Sequence, residues 1–216
     1  MALARGTQSR LVEVAPERLA GWLTGFEDRH GAARWQASEH LVTGTAQDGA
    51  VAACEVPFPP MVLEEYDAYG GLPAHALRRR RVGVLLVRLG GYAAGVFEGT
   101  ELAASKVGSR QVHGRNAAGG QSQQRFARRR EGQVRVALRE AADVAVRVLV
   151  PAAGGLDAVV LGGDRRAVTA VLVDPRLAAL RPLVTPRLLD VVDPRLSVLQ
   201  GTAATFRAVR IRVSDP

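Results

Sequence analysis

The positive charge of this 216-residue chain is concentrated in one segment, residues 106–135. The whole chain has a formal net charge of +8, and this segment alone has a net charge of +7. At its centre lies a small, uncharged stretch, residues 117–122 (AAGGQS). A run of solvated surface charges does not require such a small, flexible tip. A loop that brings its backbone into an RNA-lined cavity does require one. The charged residues of the segment are Lys106, Arg110, Arg115, Arg125, Arg128, Arg129, Arg130, Glu131 and Arg135.

The composition is that of a globular protein with a polyanionic partner. A hydrophobic content of 47% is enough for a real core, and the length fits one medium domain or one domain with a small companion. The positive net charge favours nucleic acid. No stretch approaches the ~18 apolar residues that a membrane span needs, and the N-terminus lacks the apolar part of a signal peptide. A single cysteine, Cys54, excludes an internal disulfide, so we expect a cytoplasmic protein.

Two parts of the chain differ in their patterns. Residues 1–60 predict a small α+β unit, with a helix over Pro16–His30 and strands over residues 35–45 and 50–56. Residues 61–80 are a connection. Residues 81–216 predict a mixed α/β sheet with helices on its faces, because a hairpin and a third strand precede a long helix and then alternating helices and strands.

The second part is built around the basic segment. Strands are predicted over residues 82–88, 92–97 and 101–113, followed by a glycine-rich loop over 114–124. A long helix then runs from about Arg125 to Val148. Further on, the pattern predicts a final strand over residues 205–213. One apolar face of the long helix is traced by Phe126, Val134, Leu138, Ala142, Ala145 and Leu149.

The chemistry of this part is expected from the loop. Neither phosphate-binding glycine fingerprint is present, and no cysteine and histidine spacing suits a metal, so we predict no metal and no cofactor. Gly119 and Gly120 give backbone freedom without bulk, and Gln121 and Gln123 each bring an amide and a main-chain N–H. Such a loop can promote ester hydrolysis by placing a donor on the developing oxyanion and positioning a water molecule. The alternative is a solvated loop that only binds phosphate.

These residues resemble a known family. The string Gly119-Gly120-Gln121-Ser122, followed by RFAR at residues 125–128, is similar to the segment around the GGQ motif of eukaryotic and archaeal class-1 peptide-chain release factors. The longer string GSRQVHGRNAAGGQSQQRFARRRE resembles more closely the bacterial members of the Vms-like release factor (VLRF) family. The resemblance covers residues 81–216. It implies an RNase H-like fold there and a loop that enters the peptidyl-transferase centre to release the peptide.

The resemblance also suggests roles for individual residues. Gly119, Gly120 and Gln121 match the GGQ motif, whereas the VLRF pattern, often written G-x-x-Q, places Gln123 in the acting position. Both glutamines are candidates, and the register of the surrounding residues favours Gln121. The candidates for contacts with the tRNA acceptor end or ribosomal RNA are Arg110, Arg115, Ser122, Arg125, Arg128 and Arg129.

The leading hypothesis is a peptidyl-tRNA hydrolase of the release-factor type that acts in ribosome rescue and quality control. Its partners would be the large ribosomal subunit and peptidyl-tRNA, with no membrane. The chain is too short for a separate codon-reading domain, so stop-codon decoding is not expected. Two alternatives stay open: a nuclease that cuts the tRNA near its 3′ end, as reported for eukaryotic relatives of the VLRF type, and a non-catalytic module that binds RNA or the ribosome. The sequence leaves the oligomeric state open.

Overall fold

The structure, a computed structural model, describes residues 9–88, 90–110 and 121–216, and within residues 121–130 the backbone only. The chain forms two compact units: Met1–Arg78 with Ala204–Pro216, and Arg79–Ala203. Each contains one five-stranded sheet. The strands are β1 Ser9–Val14, β2 Ala33–Ala37, β3 Leu41–Ala46, β4 Val51–Glu55, β5 Arg81–Arg88, β6 Gly91–Glu98, β7 Glu101–Ser109, β8 Ala158–Gly163, β9 Val184–Leu189 and β10 Val209–Ser214. The helices are α1 Pro16–His30, α2 Leu72–Leu77, α3 Gln121–Leu149, α4 Arg165–Leu172 and α5 Leu196–Arg207, with 3-10 helices at Val150–Gly155 and Pro175–Leu183.

Helix α1 supplies much of the core of the first unit. Pro16 occupies its first turn, where a missing N–H costs nothing, and Gly31 ends it with a φ of 84° that favours glycine. Leu19, Leu23 and Phe26 recur at helical spacing and are fully buried. They pack against an antiparallel sheet in the order β1-β10-β4-β3-β2. The helix predicted over these residues is confirmed.

The strand predicted over residues 35–45 is two strands, β2 and β3. Ser38 makes the break: its backbone N–H donates to the Leu41 carbonyl oxygen at 2.9 Å, and its hydroxyl oxygen accepts from the Leu41 N–H at 3.1 Å. These bonds close a turn, so β2 folds back antiparallel onto β3. Residues 61–80, predicted as a connection, contain the short helix α2.

The last strand, β10, belongs to the sheet of the first unit, whereas the sequence predicts that residues 81–216 form one unit. It lies between β1 and β4 and pairs antiparallel with both. Val209, Ile211 and Val213 alternate along it and are buried. This alternation predicts a strand, but it does not show which sheet will take up the apolar residues. Residues 205–207, predicted as the start of the strand, form the end of α5.

The second unit is a mixed sheet in the order β7-β6-β5-β8-β9. β6 runs antiparallel to both of its neighbours, β5 and β7, while β8 is parallel to β5 and β9 is parallel to β8. Helix α3 connects β7 to β8, and α4 lies between β8 and β9. The central strand β5 is buried from Val82 to Val87. The predicted α/β fold with a mixed sheet is confirmed, and the RNase H-like character stays what the family resemblance implies.

Helix α3 contributes its C-terminal half to the core of this unit. Ala141, Ala145 and Leu149 are fully buried and belong to one cluster with the apolar residues of β5 and β8. Residues 131–136 are exposed or half-buried instead, and Val134, predicted on the apolar face, keeps 39% of its surface exposed. The helix therefore joins the core only from its middle onward.

Arg176 joins the 3-10 helix at Pro175–Leu183 to α3, and its separate bond to Asp174 depends on pH. Arg176 Nη2 donates to Asp143 of α3 at 2.8 Å and to Asp174 at 2.7 Å. Hydrogen bonds from the side chain and then the backbone of Arg176 lower the pKa of Asp174 to about 2. The stabilisation is thus present above the ordinary pKa of 3.8 and is lost as the pH falls toward 2. In an NMR titration we expect the Asp174 carboxyl midpoint near 2 in the wild type and closer to 3.8 in Arg176→Gln; equal midpoints would contradict this cause.

Candidate nucleic-acid interface

The basic segment leaves the sheet at the end of β7. Ser109 is paired with Gly91 of β6, and the backbone N–H of Arg110 donates to the Gly90 carbonyl oxygen at 2.8 Å. Arg110 is the last described residue before residues 111–120. The chain just before residues 111–120 is therefore fixed to Gly90, between β5 and β6, by a main-chain hydrogen bond.

The side chain of Arg110 is bound to the long helix. Its Nη1 donates to Glu140 Oε1 of α3, and the Tyr92 hydroxyl of β6 donates to Glu140 Oε2 at 3.1 Å. Burial, and then the hydrogen bond to Glu140, raise the pKa of Tyr92, so its hydroxyl keeps its proton at neutral pH. One carboxylate thus ties together the end of β7, strand β6 and helix α3. Among the predicted RNA-binding residues, Arg110 is the one with a described side chain, and that side chain is 49% exposed.

Gly108 gives Tyr92 the room to make this contact. The two residues are partners across the β6–β7 ladder. A Cβ at position 108 would lie 2.4 Å from the Tyr92 ring, and Tyr92 is only 7% exposed. The ring therefore covers the glycine, as aromatic residues do beside strand glycines. Sequence reasoning missed Tyr92 and Glu140, because their contact joins residues 48 apart and no local pattern shows it.

Helix α3 begins at Gln121, before its predicted start at Arg125. Glutamine is a good helix former, and nothing between these two positions breaks a helix. Gln121 and Gln123, predicted to lie on the loop, stand in the first helical turn.

Most predicted site residues lie wholly or partly outside the described part of the chain. Gly119, Gly120 and Arg115 do so as whole residues. The backbone of the next group belongs to α3, but its side chains are not described; the group is Gln121, Ser122, Gln123, Arg125, Phe126, Arg128 and Arg129. The structure thus gives these residues a place on the helix, and their roles stay predictions.

The start of α3 is a favourable place for negative charge. The first four N–H groups of an α-helix have no intrahelical acceptor, and the helix dipole adds about half a positive charge there. The first turn of α3 contains no acidic residue, and residues 125–130 include four arginines. Such a helix end attracts a phosphate group or a developing oxyanion.

The described part of α3 continues the basic surface. Arg135, Arg139 and Arg147 are exposed and lie off the buried face. The acidic residues Glu140 and Asp143 each bind an arginine from another element. These pairs neutralise two of the helix's negative charges, so its exposed arginines keep that surface positive.

A cavity of about 380 Å³ lies between α3, α4 and the β5–β6 turn. Its described lining is apolar apart from Tyr92, Asp164 and Arg166. Asp164 is occupied as the N-cap of α4, because its Oδ1 accepts from the Ala167 N–H at 2.9 Å. The cavity leaves Val134 without a packing partner on one side, which accounts for its exposure. The cavity therefore offers apolar surface and no free acid–base group among its described lining residues.

Neither a metal-ligand cluster nor a membrane-spanning helix occurs in the described residues. Nowhere in residues 9–88, 90–110 and 121–216 do three or more His, Cys, Asp or Glu side chains come close enough to hold a metal ion. In the same residues, every helix is too short or too polar to cross a membrane.

The family comparison defines the class of protein to which this sheet and long helix belong, the release factors. The family model acVLRF1, described as Actinobacteria/chloroflexi VLRF1 release factor, matches residues 80–212, and the chain belongs to this family. The predicted resemblance to the VLRF family is confirmed.

Comparison with other proteins gives more distant likenesses. No curated protein was found to match the sequence. An archaeal translation termination factor, aRF1, is similar in structure with a TM-score of 0.46 and 18% identity, over 94% of this chain and 68% of its own. A second archaeal protein has a TM-score of 0.38 and 16% identity, over 88% of this chain and 70% of its own.

Proposed function

We propose that this protein is a peptidyl-tRNA hydrolase of the release-factor type, which frees nascent chains from stalled ribosomes or their large subunits. One observation carries the proposal: in a member of a release-factor family, the motif Gly119-Gly120-Gln121 ends on the first residue of the long basic helix α3. Membership of the family supports a release-factor type of function in general. We propose in addition that the substrate is the peptidyl-tRNA ester, that the protein acts in ribosome rescue, and that it uses this motif.

The reaction is hydrolysis of the ester that joins the peptide to the 3′-terminal ribose of tRNA. A water molecule attacks the ester carbonyl carbon, and the carbonyl oxygen becomes an oxyanion. The bond from carbon to the ribose oxygen then breaks, and a proton from the water passes to that oxygen. The products are a peptide with a free carboxyl group and a tRNA with a free 3′-hydroxyl.

The motif residues would act by position rather than by proton transfer. Glycines at 119 and 120 allow the backbone to approach the ester closely, because they have no side chain. A glutamine amide is neither an acid nor a base near pH 7, but it orders a water molecule or donates to the oxyanion. The start of a helix adds the positive end of its dipole. These effects lower the barrier only when the loop is held close to its substrate.

The arginines supply the attraction for RNA. Segment 106–135 contains nearly all of the chain's net charge, and phosphate binding by arginine does not depend on sequence. We therefore expect the protein to associate with the large subunit and peptidyl-tRNA, in the cytoplasm where ribosomes work. Binding should weaken steeply as the salt concentration rises.

A release assay that follows both products tests the proposal. Purified protein is added to large subunits that carry peptidyl-tRNA, with the same subunits alone as control. We expect free peptide and a full-length tRNA with its terminal CCA. A tRNA shortened at its 3′ end would assign nuclease activity instead. Binding without release above the spontaneous rate would identify a non-catalytic module and contradict the proposal.

A further inference from the structure

We propose that Glu140 of α3 is a positioning residue for peptide release: its carboxylate, held by Tyr92, fixes Arg110 against the helix and so sets where the basic segment leaves the sheet. We call this set of three residues the Glu140 anchor. The inference rests on the proposed function, because it assigns Glu140 a part in that reaction.

The anchor attaches Arg110, just before residues 111–120, to the same helix that begins just after them. Arg110, which precedes residues 111–120, is bound to Glu140, and residue 121 is the first of α3. Glu140 lies 19 residues further along the helix than Gln121. At a rise of 1.5 Å per residue, the two points are about 28 Å apart along the helix axis. A single helix thus sets the positions of both ends of the motif-bearing segment.

Glu140 is carried by the part of α3 that is packed into the core. Ala137 and Ala141, on either side of it, are 6% and 0% exposed, whereas residues 131–136 lie outside the core. The Tyr92 hydroxyl and the Arg110 guanidinium each bind one oxygen of the carboxylate, so both oxygens have a donor. A partly buried carboxylate with two donors on packed elements holds its geometry well.

RNA affinity alone does not explain an acidic residue at this place. A carboxylate beside the entry of a basic segment repels phosphate and neutralises Arg110, so it weakens RNA binding. Its two hydrogen bonds give it a different use, the fixing of Arg110. Arg110 could contact phosphate directly or be attached to Glu140. These two roles predict opposite effects on the release rate when the charges of residues 110 and 140 are exchanged.

The test is an exchange of the two charges. Arg110→Glu and Glu140→Arg each place like charges together, so both should lower the single-turnover rate of peptide release at saturating protein by about 100-fold, as expected when a reacting group is misplaced. The double variant Arg110→Glu/Glu140→Arg remakes the pair and should recover most of the rate. Tyr92→Phe, which keeps the ring and removes the hydroxyl, should cause a smaller loss. Subunit binding by Glu140→Arg should be unchanged or tighter.

Asp143→Arg is the matched control. It changes the charge of α3 by the same amount three positions away and breaks an ion pair with Arg176, so it should release peptide at the wild-type rate. A wild-type rate for Glu140→Arg, or a double variant as slow as Arg110→Glu, would overturn the anchor. If the wild type releases no peptide, the proposed function fails instead. The anchor is then tested by a double-mutant cycle on the free energy of unfolding. A coupling energy of zero between residues 110 and 140 would overturn the anchor.

Discussion

Replacing Gln121 and Gln123 together by alanine should abolish peptide release while leaving the protein folded and bound to ribosomal subunits. Loss of a donor to an oxyanion costs about 10²–10³ in rate, and loss of an ordered water adds to this. Alanine is a better helix former than glutamine, so α3 should keep its start. The measurement is single-turnover release from large subunits that carry peptidyl-tRNA, together with subunit binding. Full release by the double variant would refute the role of the motif.

The single variants decide which glutamine acts. Positions two apart on an α-helix differ by about 200° around its axis, so they do not face the same side. Since Gln121 and Gln123 both lie in the first turn of α3, one of them should be essential and the other dispensable. We expect Gln121→Ala to match the double variant and Gln123→Ala to stay near the wild type. The reverse result would move the role to Gln123.

Two further variants control this experiment. Gln200→Ala removes an exposed glutamine from helix α5 and should leave release unchanged. Arg125→Ala removes a charge from the basic segment and should weaken subunit binding. The difference in binding from the wild type should become smaller at high salt concentration. A non-catalytic module would give a different pattern, in which arginine loss matters and glutamine loss does not.

Where the signals are local, the sequence predicts the fold well. Pro16 and Gly31 mark the two ends of α1, and the apolar spacing between them is regular, so the predicted helix matches the structure. The basic segment, its glycines and its glutamines are also visible in the sequence, because charge and motif are local properties.

Where the structure depends on distant contacts, the sequence is a poor guide. The alternation of Val209, Ile211 and Val213 predicts a strand, yet the sheet that receives β10 is set by β1 and β4. The contact of Arg110 with Glu140 joins residues 30 apart. From the sequence, Arg110 is one arginine among many in a basic segment, so its attachment to α3 could not be foreseen.

Substituting Gly163 by alanine should strongly destabilise the second unit. This residue ends β8 with a φ of 93°, which non-glycine residues rarely adopt, and a Cβ there would lie 2.3 Å from the carbonyl oxygen of Val87 in β5. The same oxygen accepts from the Asp164 N–H at 2.9 Å, so relief of the clash also disturbs the start of α4. We expect a loss of at least about 3 kcal/mol in the free energy of unfolding and a melting temperature lower by about 10 °C.

Gly132→Ala is the matched control for that substitution, because it adds the same methyl group in the same unit. Its Cβ would meet nothing within 4 Å, and it lies inside helix α3, where alanine is favoured over glycine by up to about 1 kcal/mol. Tryptophan fluorescence reports on the first unit, since Trp22 and Trp35 both lie there. Hydrogen exchange of the β5 and α4 amides in rising urea therefore measures the second unit. Equal stability of the two variants would mean that β5 and the start of α4 yield to the methyl group, and the Val87 carbonyl would then not hold the end of β8 rigidly.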